Sequence, residues 1–172
     1  MNKKGFTLVE LLAAITLLGI LMGIAIPAIM HLITGNRNQI YVTDAKKLIA
    51  LAEYNVRAKS SQIQLPSDES DIEKTNYGMF TFEFLDNGDF ENTPNDGVYD
   101  PRYTFVVVKN VGGKLFYSVM IVEKYKNKYY KGIELISSEE LVDANYKTIV
   151  KEETESHWSS VKDSIGTPQY TY

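Results

Sequence analysis

The chain contains no cysteine, so neither a disulfide framework nor a thiolate metal site can be built from it. Histidine is almost as scarce. Its two copies stand in unlike surroundings, His31 at the end of a long apolar run and His157 in a polar tail, which makes a Ser/His/Asp set or a multi-histidine metal site hard to assemble. Carboxylates are plentiful but scattered through loop-like stretches, the distribution of surface charge rather than of acid–base catalysis. A basic excess is missing as well: 18 Lys and Arg face 22 Asp and Glu, a formal net charge of −4. A broad nucleic-acid face needs the opposite balance, so no nucleic-acid partner is expected. The sequence has no internal repeats. These absences point away from an enzyme.

What the chain does have is one long apolar run, from Phe6 to Ile33 (FTLVELLAAITLLGILMGIAIPAIMHLI). A hydrocarbon core of about 30 Å is crossed by about 20 helical residues at about 1.5 Å each, and this run exceeds that by roughly two turns. The surplus suggests a helix with a second job. Glu10 breaks the lipid logic, because a lone ionised carboxylate a turn inside such a run costs roughly 2.5 to 3.5 kcal/mol on insertion scales. It needs a partner or must be neutral. Ahead of the run stands a short basic leader, Met1-Asn2-Lys3-Lys4-Gly5, with no apolar core of its own, and no A-x-A-like site directly follows Ile33. The apolar segment is therefore expected to stay with the protein, with cleavage at Gly5. The Lys3-Lys4 pair places the N-terminus in the cytoplasm and the remainder outside. Within the run, Gly19 and Gly23 form G-x-x-x-G, which permits close helix approach. Pro27 removes the hydrogen bond to the Gly23 carbonyl and marks a turn where the helix can bend.

The basic leader, the Gly at the cut, the Phe after it and the Glu five residues after Gly, KKG followed by FTLVE, resemble the signal of type IV prepilins and pseudopilins. The resemblance covers about the first third of the chain. It implies that a membrane aspartyl peptidase cuts between Gly5 and Phe6 and N-methylates Phe6, and that Glu10 guides assembly. It also implies that Gly19, Gly23 and Pro27 soften the helix. The implied partners are copies of itself and other pilins in a helical filament, the prepilin peptidase, the cytoplasmic membrane and the pilus assembly machinery.

Further along, Thr34-Gly35-Asn36 reads locally as a helix stop. Helical periodicity nevertheless resumes at once, with Val42, Ala45, Ile49, Ala52 and Val56 at spacings of three and four and Lys46, Glu53 and Arg57 on the other side. A continuous helix from Thr7 to about Lys59 is favoured, as in pilins resembling this chain, and would be about 80 Å long. It ends near Ser60-Ser61 in a polar, breaker-rich loop through Pro66, Ser67, Asp68, Glu69, Ser70 and Asp71. Phe80, Phe82 and Phe84 alternate with polar residues as in a half-buried strand. Tyr103 to Lys109 and Leu115 to Lys124 form a hairpin through Asn110-Val111-Gly112-Gly113, and Tyr129 to Ile136 follows a turn at Lys126-Asn127-Lys128. Ser137 and Glu140 make a capping box. The tail to Tyr172 is weakly patterned.

Two stretches invite chemistry. Asp86-Asn87-Gly88-Asp89, with Glu91, Asn95, Asp96 and Asp100, is rich in oxygen and could cup a hard cation such as calcium through Asp86, Asp89, Asp96 and Asp100. Its spacing is not that of an EF-hand, and a solvated turn-rich loop is the competing interpretation. Lys124, Lys126, Lys128 and Lys131 interleave with Tyr125, Tyr129 and Tyr130, a mix that could stack on single-stranded nucleic acid or simply protect a sheet edge.

The expected architecture is α+β and pilin-like: a long N-terminal helix, half transmembrane and half amphipathic, packed on an antiparallel sheet of about four strands. Residues 1–5 form the cleaved leader, 6–35 the transmembrane and filament-core helix, and 36–172 an extracellular globular domain. The expected function is structural, as a filament subunit. The alternative is a minor pilin or pseudopilin serving tip binding, adhesion, secretion or competence.

Overall fold

The computed structural model describes residues 7–58, 62–66, 76–90 and 93–172. The pair Gly5 and Phe6, the basic Lys3 and Lys4, the expected helix end at Ser60-Ser61, the loop residues Ser67 to Asp71, and Glu91 lie outside the described residues. The chain divides into two compact units, Met1–Asn36 and Arg37–Tyr172.

One helix, α1 (Leu8–Ala58), supplies the first unit and continues into the second, passing through Gly35 without a break. A single interior glycine costs a helix about 1 kcal/mol, too little to end one that strong helix formers extend on both sides. Hydroxyls in the apolar half bond to their own helix: Thr16 Oγ1 donates to the Leu12 and Ala13 carbonyls at 2.9 Å, and Thr34 Oγ1 to the Met30 carbonyl at 3.0 Å. No polar group of these threonines then needs water. The large apolar side chains from Leu8 to Ile33 are all exposed, Leu8 at 81% and Ile33 at 42%.

In the second unit the same helix turns one face inward. Tyr41, Val42, Ala45, Leu48, Ile49, Ala52 and Val56 are buried, the face that the three-and-four spacing predicts. They pack on one side of a sheet built from β1 (Tyr77–Thr81), β2 (Val98–Tyr99), β3 (Phe105–Val111), β4 (Lys114–Tyr125), β5 (Tyr129–Ser137), β6 (Val150–Glu153) and β7 (Tyr170–Thr171). The order is β6-β5-β4-β3-β1-β7, with β2 paired to β4. Short helices complete the unit: α2 (Phe82–Leu85), α3 (Ser138–Asp143), α4 (Tyr146–Ile149) and α5 (Glu155–Ile165). Phe80, Val106, Val108, Tyr117, Val119 and Ile121 face α1, while Met79, Phe105, Val107, Met120 and Val122 face a second core with Trp158 of α5. Burial on both faces explains why β3 and β4 read as nearly unbroken apolar runs.

The sheet differs from the sequence expectation in three respects. It has seven strands instead of about four, because β2, β6 and β7 are two to four residues long, too short to show a period. It is mixed, since β7 pairs parallel with β1 while the other pairings are antiparallel. The strand expected across Phe80, Phe82 and Phe84 stops at Thr81, and Phe82–Leu85 forms one helical turn. That turn sets the Phe84 ring tilted against Phe80 at 5.8 Å, four residues apart, and sends Phe82 to Phe90 and Tyr99 at 5.6 and 5.9 Å. Positions i, i+2 and i+4 in so short a run fit either period, and aromatic packing decides between them. The weakly patterned tail is ordered into α4, β6, α5 and β7, and its lone Trp158 is wholly buried. The capping box at Ser137 and Glu140 is present as expected.

A chain shortened to begin near Asn36 retains the whole buried face of α1 and is expected to be soluble and folded, checked by circular dichroism. Ile49→Asp in that chain places an unpaired charge in the core, and a loss of about 4 kcal/mol is expected by urea unfolding.

Candidate functional site

Helix α1 opens on a reciprocal cap. Thr7 donates from its backbone N–H and from its hydroxyl to Glu10 Oε2, both at 2.8 Å, and Glu10 N–H donates back to Thr7 Oγ1 at 3.2 Å. With Leu8 as first helical residue, Thr7 stands at the N-cap and Glu10 three positions on, the geometry of a capping box. The sequence carries this signal as T-x-x-E, the pattern read at Ser137–Glu140 and missed here. The partner that Glu10 lacked in the sequence is thus, in the single chain, its own helix end. Downstream, Gly19 and Gly23 would meet nothing within 4 Å if each carried a Cβ, so both stand open on the chain's surface, and Pro27 lies inside the helix. By length and composition α1 holds a segment able to cross a membrane, with a mean hydropathy of 2.4 in its most apolar window.

The acidic stretch is organised differently from a cation cup. Asp86 Oδ1 accepts from Gly88 N–H at 2.9 Å, and Asp89 pairs with Lys47 at 3.4 Å. Asp96 sits at a backbone φ of 57°. Asp100, only 5% exposed, is gripped by Arg102, whose Nε reaches Oδ1 at 2.9 Å and Nη2 reaches Oδ2 at 2.6 Å. The four carboxylates do not converge: among the described residues no three Asp, Glu or His side chains gather as metal ligands. The loop closes instead on Glu123 of β4, which is wholly buried. Glu123 Oε1 accepts the backbone N–H groups of Asn95 and Gly97 at 3.0 and 2.9 Å, and Oε2 accepts Asn95 Nδ2 at 2.8 Å and the Tyr41 hydroxyl. Burial and the neighbouring carboxylate push the Tyr41 hydroxyl far above its usual range, so it remains a donor. Gly97 is required there, since a Cβ would lie 2.4 Å from the Lys124 carbonyl oxygen. A buried carboxylate ringed by four donors therefore ties Asn95 and Gly97 to β4 and Tyr41 of α1. Glu123 was invisible to local pattern, because its partners lie 26 to 82 residues away.

The Asp100–Arg102 pair gives a pH dependence. Burial acts to raise the Asp100 pKa, but hydrogen bonds and charge from Arg102 outweigh it and hold the carboxyl below its ordinary range. Its stabilising contribution is present above the unfolded value and is lost as pH falls through the lower folded value. Asp44, raised by burial, works in the opposite sense. Arg102→Ala is expected to cost about 2 kcal/mol at neutral pH and to flatten the loss of stability below about pH 4, as thermal melts at stepped pH would show.

At the β4–β5 hairpin tip Tyr125 and Tyr129 stack at 5.6 Å, with Lys128 Nζ 5.0 Å from the Tyr129 ring centre. Strand β6 sets Glu152 opposite Lys131 and Glu153 opposite Tyr130, so acidic groups interrupt the basic cluster. A cavity of about 550 Å³ opens on the sheet face away from α1, lined by Tyr77, Val107, Lys109, Phe116, Leu135 and Ile165 among others. His157 lies elsewhere, its Nε2 2.7 Å from Glu134 Oε1, and His31 stands in the apolar half of α1.

Residues 1–26 match the prokaryotic N-terminal methylation motif, the signal motif of type IV prepilins. The match spans the Gly5–Phe6 junction, Thr7, Glu10, Gly19 and Gly23. The motif supports processing by prepilin peptidase and points toward a structural, pilin-like protein, and the apolar α1 fits anchoring in a membrane. No curated protein and no solved structure matches the chain.

Proposed function

We propose that the protein is a subunit of a type IV pilus or related filament. The peptidase cuts between Gly5 and Phe6 and N-methylates Phe6. Residues 6–35 hold the protein in the cytoplasmic membrane, with 36–172 outside, until the assembly machinery draws it into an extracellular helical fibre whose core is the bundled N-terminal helices. In that core Glu10 meets the Phe6 amine of a neighbouring copy. The observation that carries this reading is a coincidence of position: the methylation motif covers residues 1–26, and over that span the large apolar side chains of α1 are exposed and unpartnered within their own chain. An apolar helix face of that length must be covered by lipid or by other helices.

Gold-labelled antibody against residues 37–172 tests the assignment. Label along whole surface fibres is the expected result. Label confined to tips would favour the minor-pilin reading, with a binding or adhesive role. Label on the cell body alone would favour a pseudopilin of a secretion or competence machine.

A further inference from the structure

Helix α5 covers only part of the sheet face away from α1. Its Trp158 packs with Met79, Phe105, Met120 and Val122. Further along that face, strand register sets Tyr77 of β1 beside Lys109 of β3 and Lys109 beside Phe116 of β4, and all three line the cavity of about 550 Å³. That volume lies within the range of about 300–1,000 Å³ typical of small-molecule sites. The walls are held in place. The Tyr77 hydroxyl donates to the Gly166 carbonyl at 2.6 Å and ties down the end of α5, where Ile165 lines the cavity. The Ser137–Glu140 capping box anchors the start of α3, which adds Glu139 to the rim. Within this lining a lysine is out of place. Phe105 and Val107 precede Lys109 at period two on the second core face, so Lys109 takes a position that the pattern reserves for an apolar side chain. It is half-buried.

We propose that this cavity binds an alkyl carboxylate, with its chain against Val107, Leu135 and Ile165 and its head group on the Lys109 ammonium. The aliphatic side chains supply apolar area for the chain to bury, and charge selects the head. Glu139, the acidic residue of the lining, is paired with Lys114 at 3.7 Å, so the cation at Lys109 sets the sign that the cavity favours. Lys109 already interacts within the chain, and an ammonium has three N–H donors. A ligand carboxylate therefore adds to that interaction and need not displace it. Ser118, opposite Val107 on β4, brings a hydroxyl donor to the same floor. A charge-assisted hydrogen bond made in a half-enclosed apolar site is stronger than one on open surface. The site lies wholly within residues 37–172 and does not depend on whether the chain enters a filament.

Octanoate titrated by calorimetry into the full chain in lipid nanodiscs, with empty nanodiscs as the blank, tests the site. Saturable binding of one octanoate per chain is expected, and none of octylammonium, which has the same chain and the opposite charge. Lys109→Met keeps the apolar stem and removes the charge. It is expected to lower octanoate affinity on the order of tenfold, the weight of one charge-assisted hydrogen bond, with the circular dichroism of the parent. Leu135→Glu changes a side chain that is 36% exposed, where a charge does not disturb the core, and is expected to weaken octanoate on the same order by repulsion of like charges. Octanoate uptake no greater than that of empty nanodiscs would overturn the proposal. So would saturable binding of octylammonium, or parental octanoate affinity in Lys109→Met or in Leu135→Glu.

Discussion

Glu123→Ala is expected to remove about 4 kcal/mol or more from the stability of the 37–172 unit, a large share of the roughly 5–15 kcal/mol typical of a domain. The change deletes the acceptor of four hydrogen bonds at once. Two of the stranded donors are backbone N–H groups, of Asn95 and Gly97, and two are side-chain groups, the Asn95 amide and the Tyr41 hydroxyl. Each buried donor left unpaired costs about 1–3 kcal/mol, although the four are not additive. A cavity is left where the side chain was fully enclosed. The damage reaches across the fold, because Tyr41 belongs to α1, Asn95 and Gly97 to the loop before β2, and Glu123 to β4. Glu123→Gln should fall between parent and alanine, since its amide oxygen replaces one acceptor while its NH2 faces donors. Urea unfolding of the chain beginning near Asn36 measures all three. An alanine variant within 1 kcal/mol of the parent, on the scale of a surface change, would mean that the loop holds without Glu123.

The second large effect is on assembly. Glu10→Leu is expected to leave insertion, cleavage and folding of the 37–172 unit intact while reducing fibres to a few per cent or fewer, on the order of what losing a partly desolvated ion pair implies. Leucine suits a bilayer better than glutamate, so a defect in fibres cannot be traced to poor insertion. A strain whose only copy carries Glu10→Leu, scored for fibres by microscopy and for cleaved protein in the membrane fraction, separates the two. Fibres at parental number would show that Glu10 has no part in guiding assembly. If gold labelling places the protein only at tips, incorporation into fibres replaces fibre number as the score.

Local chemistry made some of this legible in the sequence and distance hid the rest. The buried face of α1 was written in the spacing from Val42 to Val56, and the central strands in the apolar runs around Val107 and Ile121. The helix stop at Gly35 was a local signal overridden by helical sequence on either side. Phe82 was misread because its partners, Phe90 and Tyr99, lie outside any short window. Within the site, the Thr7–Glu10 box needed only a four-residue pattern. The apolar run made Glu10 look like a residue without a neighbour, and the threonine beside it went unread. The oxygen-rich 86–100 stretch resembles a cation loop by composition, while the pairing of Asp100 with Arg102, two residues on, shows only in the fold. Glu123, which holds that loop, stands in a strand among apolar residues, and only the fold reveals what its carboxylate accepts.

The most direct measurement of the central claim is the mass of the N-terminal peptide from protein isolated with fibres or membranes. The expected result is a chain beginning at Phe6 with one methyl group on its amine, and full-length precursor accumulating in a Gly5→Val strain. Assembled protein that retains Met1-Asn2-Lys3-Lys4-Gly5, or a Gly5→Val variant that matures normally, would contradict the account.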